Sequence, residues 1–316
     1  SFGEDVLSGC VSLEIVSLGA GVTKIPEASF IGHKKLKEVY ISAGVSAIGD
    51  RAFKNCTSLQ IVKRQAQTNK AASKGMAFEM LVSGGRSTTS VDDSLTHIGK
   101  SAFENCSALK AFDFTNGLVS IDEYAFCNCR NISSVVLPAS LKSLDKGAFL
   151  GCKSLSSVDG IEAVSWQKKY AFVGTPWLSE QGDSGFVIFD DHLEAYVGTD
   201  ENVEIPETVK TIGCHAFDGN RHISTVIVPE GVRVIDELAF ANCSKLKSVQ
   251  IADSVEKIED NAFENDDNFI IQCSRGSAAS AFRIRNKIPG EYVAKTKAPS
   301  QIERPSPRKR TEPHSD

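Results

Sequence analysis

The sequence predicts a β-rich α/β solenoid of stacked 23-residue repeats with a parallel sheet along one side. Three observations carry this. An Ala-Phe or Ser-Phe pair ends at Phe30, Phe53, Phe103, Phe126, Phe149, Phe172, Phe217, Phe240 and Phe263, and six of the eight intervals are 23 residues. Six of the nine cysteines (Cys10, Cys56, Cys106, Cys129, Cys152, Cys243) stand three residues after that phenylalanine position. Around them runs an apolar frame, clearest as Ile121-x-x-x-Ala125-Phe126-x-x-Cys129-x-x-Ile132-x-x-Val135-x-Leu137-Pro138. A fixed period of this length marks units too small to bury their own apolar face, so each shares one long core with its neighbours.

The 316 residues approach the usual upper size of a single globular core, but a solenoid grows by adding coils, so length does not force two domains. The formal net charge of −5 argues against a dedicated nucleic-acid binder. No apolar run reaches the roughly 18 residues that cross a bilayer, so no membrane insertion is expected. Phe2, Leu7 and Cys10 already occupy the isoleucine, phenylalanine and cysteine positions, so the chain starts inside a coil. No charged n-region leads into an apolar stretch, and no signal peptide is expected in this piece.

The cysteines are read as small buried hydrophobes filed along the interior. Neighbouring coils would bring them about 5 Å apart, within bridging distance, so disulfides stay open. An odd count and no CxxC pair argue against structural zinc.

In chain order, Val22-x-x-Ile25 leads to Phe30 and then Leu36-x-x-Val39-x-Ile41; Val45-x-x-Ile48 leads to Phe53, Cys56 and Leu59-x-x-Val62. Arg64 then stands where the frame asks for an apolar residue, and 63–94 reads as one degenerate or loop-swollen repeat, with a disordered insertion as the alternative. Phe103 to Phe172 is the cleanest stretch, its strands Leu109-x-x-Phe112-x-Phe114, Ile132-x-x-Val135-x-Leu137 and Leu155-x-x-Val158. Two alternating runs around Asp190-Asp191 predict a β-hairpin replacing one coil within 174–202. Register returns through Phe217, Phe240 and Phe263. Ser277 is the expected N-cap of a short helix to about Arg285, within a C-terminal cap over 274–294. The solenoid thus spans 1–294, and 295–316, proline-rich and basic, reads as a disordered tail.

The repeat Ile-x-x-x-Ala-Phe-x-x-Cys-x-x-Leu-x-x-Val-x-Leu-Pro resembles the BspA-like, treponemal-type leucine-rich repeat. The Gly174-Thr175-Pro176-Trp177 turn and the Tyr196-Val197-Gly198 hairpin end resemble a module found inside such arrays, and Gly276-Ser277-Ala278-Ala279 resembles their terminus. The resemblance implies a leucine-rich-repeat horseshoe of these 23-residue repeats whose parallel sheet lines a concave face. It further implies a cell-surface or secreted adhesin-like protein, contacting host extracellular-matrix or cell-surface proteins. A second reading is a structural or scaffolding segment of a longer, intracellular chain. Arg64, Gly160 and 63–94 depart from the pattern.

Alternation along each strand turns the residues flanking the central valine outward. The partner-binding candidates on that face are Ile15, Glu38, Tyr40, Ile61, Lys63, Asp113, Val136, Asp159, Ile227 and Gln250. Ile15, Tyr40 and Ile61 beside Lys63 form an apolar patch of the kind partners use. Catalytic signals are weak, and neither enzyme activity nor a cofactor is expected. Gly182-Asp183-Ser184-Gly185 copies a serine-protease tetrapeptide, but the triad needs a base within reach of the serine, so the stretch is read as a turn before the hairpin. Asp190, His192 and Glu194 are the only cluster an enzyme or metal reading could use. His215 and His222 have no partner nearby in sequence.

Overall fold

The computed structural model describes residues 9–65, 94–164 and 170–293. Within them the chain winds as a β-solenoid. Each rung adds one strand to a first parallel ribbon and a two-residue strand to a second. The first ribbon falls into three sheets: Ile15–Ser17, Glu38–Ser42, Ile61–Gln65 and Ala111–Phe112; then Ser134–Val136 and Ser157–Asp159; then Asn202–Glu204, Thr225–Val228, Ser248–Ile251, Ile270–Cys273 and Gly290–Tyr292. The second has two sheets, from Lys24–Ile25 to Ser143–Leu144 and from Phe186–Phe189 through His192–Tyr196 to Lys257–Ile258.

The phenylalanines explain the stack. From Phe30 to Phe172 successive rings lie parallel, centroids 5.0, 5.1, 5.1, 5.3 and 5.4 Å apart. That spacing is close to the ~4.8 Å between hydrogen-bonded strands, so one column of rings fits one column of rungs. The same unit is locked by backbone: the N–H of Phe30 donates to Ala52, Phe103 to Ala125 and Phe149 to Ala171. Each buried ring contributes roughly 1.5–3 kcal/mol by leaving water.

Two residues past each phenylalanine the backbone is left-handed, with φ of 58° to 76° at Gly32, Asn55, Asn105, Asn128, Gly151, Gly174, Gly219, Asn242 and Asn265. Glycine and asparagine tolerate that region best, which accounts for the asparagines before the cysteines. Their amides then ladder: Asn105 donates to Asn55 at 2.8 Å, and Asn128 to Asn105 at 3.1 Å.

Five of the six period-matched thiols are buried as expected; Cys10, at the first described coil, is instead exposed. All nine cysteines are free. Cys56, Cys106, Cys129, Cys152 and Cys243 each donate through Sγ to a phenylalanine carbonyl one rung back, at 2.9 to 3.2 Å. Burial pushes the Cys56 thiol up to about 12, so it stays protonated and keeps donating.

The rung of Phe53 lies directly on that of Phe103: Ala47–Ile48 pairs with His97–Ile98, Ile61 with Ala111, and the Phe53 N–H donates to Ala102. The region 63–94, read as a degenerate or loop-swollen repeat, falls mostly on residues 66–93, which lie outside the described residues. Arg64 closes the join, its guanidinium donating to the Ala43 carbonyl at 2.6 Å and Ser94 Oγ at 2.8 Å. Gly160 is also explained: φ is +77°, and a Cβ would overlap the Leu137 carbonyl oxygen.

The hairpin is present. Phe186–Phe189 runs antiparallel to His192–Tyr196, which joins the second ribbon beside Thr211–Ile212. Tyr196 takes the phenylalanine place, stacking on Phe217 at 5.1 Å. Here the core divides into two clusters. At the far end the Ser277 hydroxyl caps helix Ala278–Arg285 by accepting from Ser280 N–H, and Phe282 packs on Phe263 at 5.9 Å. The tail expected over 295–316 lies outside the described residues.

Candidate functional site

The outward columns fall into register. Ile15 pairs with Glu38, Glu38 with Ile61 and Ile61 with Ala111, while Ser17, Tyr40 and Lys63 form the neighbouring column. Their faces are set by the core residues between them: Val39 and Val62 point inward and are buried, which turns Glu38, Tyr40, Ile61 and Lys63 the other way. Ile15 is 58% exposed. Tyr40 Oη donates to Glu38 Oε2 at 2.6 Å, and that bond to a carboxylate raises the phenol's pKa. The phenol is held against its own strand and is half-buried.

The ten candidates are spread over three sheets of the first ribbon. Ile15, Glu38, Tyr40, Ile61 and Lys63 share the first sheet; Val136 pairs with Asp159 in the second; Ile227 pairs with Gln250 in the third. Asp113 is exposed but lies just past Ala111–Phe112, in no strand. Val136 is 64% and Ile227 39% exposed. The third sheet continues its outward column through Gln272 and Glu291, whose side chains bond at 3.1 Å. Sequence reasoning stopped at Gln250 because the spacing shortens by one residue after Phe263.

The chemical candidates resolve into structural roles. Ser184 and Gly185, both at positive φ, form the turn in which Asp183 and Phe186 exchange backbone hydrogen bonds of 2.9 Å. His192 Nε2 lies 3.6 Å from Glu194 Oε2 within a strand buried along its whole length, whereas Asp190 sits exposed in the hairpin turn at φ +57°. Among the described residues no group of three histidine, cysteine or carboxylate side chains is placed to hold a metal. His215, read without a partner, has one in Asp218, Nδ1 to Oδ2 2.7 Å.

A constellation missed in the sequence is Ser120, His97 and Asp122. His97 Nδ1 meets Ser120 Oγ at 2.6 Å, and its Nε2 lies 3.3 Å from Asp122 Oδ2. Burial, with the nearby carboxylates of Asp145 and Asp50, keeps the Asp122 carboxyl above the usual range, partly offset by His97. The three link adjacent rungs, since His97 and Ser120 are register partners. The N–H groups of Ser120 and Asp122 donate to Thr96 and Ile98, so neither can stabilise an oxyanion.

One open groove of about 410 Å³ lies beside the third sheet, lined by Glu201, His222, Ser224, Ser244, Lys245 and Lys247, with Leu246 and Asn268. These are turn residues just upstream of the first-ribbon strands. The 23-residue period places them together, but the single-strand reading looked only at the strand itself.

With this geometry in place, the family match is decisive. The family model described as the BspA type leucine rich repeat region matches residues 1–80, 85–182 and 195–274, in six copies. The chain belongs to the BspA-type leucine-rich repeat family. Of the two unmatched internal intervals, 183–194 covers most of the hairpin Phe186–Tyr196. This BspA-type chain is similar in fold to a leucine rich cell surface protein of Faecalibacterium prausnitzii A2-165, at 22% identity and TM-score 0.50, over 90% of this chain and 89% of that one. It also aligns with a leucine-rich repeat protein from Bacteroides ovatus at 18% identity and TM-score 0.47, over 88% and 69% of the two chains. No curated protein matches its sequence. Among the described residues no helix is long and apolar enough to cross a membrane.

Proposed function

We propose that this BspA-type solenoid is a non-enzymatic module that holds a protein partner on the outward face of its first ribbon, at a cell surface. The observation that carries it is the paired columns Ile15, Glu38, Ile61 and Ser17, Tyr40, Lys63 on one four-stranded sheet. They combine exposed apolar area, a phenol fixed by a hydrogen bond and a cation. A fixed aromatic loses little freedom on binding, which suits it to anchor an interface. The surface location is supported by the description of the Faecalibacterium protein and by family membership. A host extracellular-matrix protein is the partner class we would test first. The full chain is expected to capture such proteins from a matrix extract in a solid-phase assay, and Tyr40→Ala with Lys63→Ala to reduce capture several-fold. Equal capture by the double variant would remove this site.

A further inference from the structure

We propose a second binding surface: the basic edge just upstream of the first ribbon holds an acidic polysaccharide laid along the solenoid axis. The net charge of −5 averages two unlike sides. Four, five and seven residues after the phenylalanine, the rungs of the first half carry Lys34, Lys35, Lys37, Lys110, Arg130 and Lys153, all exposed. Those of the second half carry the exposed Arg221, and Lys245 and Lys247, which line the groove of about 410 Å³ with His222 and Glu201. The carboxylates at these positions are Glu14, Asp200, Glu201 and Asp267; Glu14 is already bound to Lys37 at 2.8 Å, and Asp200 accepts from the Tyr196 hydroxyl at 3.1 Å. Among the described residues, Lys34, Lys35, Arg130, Lys153, Lys245 and Lys247 form no ion pair with one another's neighbours.

The acidic charge lies instead on the turn after the second ribbon, at Asp50, Asp122, Glu123, Asp145, Asp236 and Glu259. There crowding is felt: burial first, then Glu259, raises the Asp236 carboxyl. Such sidedness, with cations on the successive rungs of Lys110, Arg130 and Lys153 and again on those of Arg221 and Lys245, suits a ligand with repeated anions.

The chemistry between the cations selects the class. Thr57, Ser107, Ser133, Ser154, Ser244 and Asn268 fill the same positions, offering hydroxyls and an amide rather than rings. Trp177 packs onto Phe172 at 4.8 Å and gives no platform for bases, which single-stranded nucleic acid would use. The overall acidity opposes a duplex. Sulfate and carboxylate groups on a hydroxyl-rich chain fit this edge best.

The test uses the full chain on immobilised heparin, with duplex DNA and polyglutamate as competitors. Retention at about 0.15 M salt is expected, falling as salt screens the contact. K34E/K35E/K245E/K247E should weaken half-saturation about ten-fold or more, and the neutral glutamine set should fall between. R308S/K309S/R310S controls for the basic tail and should retain most binding, and Tyr40→Ala, on the sheet face, should bind as before. The inference is overturned by no retention at low salt, by unchanged binding of the four-lysine variants, by loss confined to the tail variant, or by tighter binding to DNA or polyglutamate. None of these outcomes bears on the sheet-face site.

Discussion

Asp266 offers a sharp test of the rung logic. It stands three residues after Phe263, where Cys56, Cys106, Cys129, Cys152 and Cys243 stand in their own rungs. There a thiol donates to the phenylalanine carbonyl one rung back, as Cys243 does to Phe217 at 3.2 Å. A carboxylate cannot donate, but a protonated carboxyl can. Both Asp266 carboxyl oxygens are shut off from water. Burial, and then Asp218 and Asp267, push its pKa from 3.8 to about 7, against the opposing pull of the Cys243 backbone N–H. The folded chain therefore keeps this proton to about pH 7, whereas the unfolded chain releases it near 3.8, so stability falls as pH rises from 4 to 7 and is level above. At 1.36 kcal/mol per tenfold that is roughly 4 kcal/mol, and partial exposure of the side chain reduces it to about 2 kcal/mol. Asp266→Asn cannot ionise. It should match the parent at pH 4 and exceed it by about 2 kcal/mol at pH 8 in urea titrations followed by circular dichroism, and Asp266→Cys, restoring the thiol, should do the same. Because other carboxylates also titrate, the readout is the variant-minus-parent difference at each pH. A difference that stays constant with pH, or that favours the parent at pH 8, would refute the reasoning.

The thiol ladder makes a labelling prediction: under native conditions iodoacetamide should modify the exposed Cys10 readily, while Cys56, Cys106, Cys129 and Cys152 react only after denaturation. Intact-mass spectrometry counts the adducts, and fast native labelling of several thiols would contradict the buried file. Gly160→Ala places a Cβ against the Leu137 carbonyl at a φ of +77° and should lower urea stability by about 2 kcal/mol or more. An unchanged midpoint would show that the turn before Ile161–Ala163 relaxes freely.

How much of this was legible before folding depended on whether a feature repeats. Phe126, Cys129 and Leu137 recur at the period, so ring column, thiol file and strand direction could be read from spacing alone. The exceptions could not, because their meaning depends on which rung lies next. Arg64 looked like a defect in an apolar frame; it donates to the Ala43 carbonyl and the Ser94 hydroxyl where Phe53's rung meets Phe103's. Asp190 and His192 stand two positions apart in sequence, yet Asp190 sits exposed in the hairpin turn while His192 opens a strand buried along its whole length. His97, Ser120 and Asp122 span 25 positions and meet only because 23 of them make one turn.

Charge shows the same limit from another side. A net charge of −5 is a sum over faces and carries no direction. Direction appears once each residue has a place in the rung: Lys245 and Lys34 then fall on one edge, and Asp236 and Asp50 on the other. The partner candidates depend on that placement as well, since Ile15 and Ile61 become a patch only when Glu38 is set between them by register. Inward positions are constrained by packing in every rung and so announce themselves by repetition. Outward positions are under no such demand, and Tyr40, Asp113 and Val136 differ from rung to rung. A repeat protein's fold is therefore written redundantly, while each contact with a partner is written once.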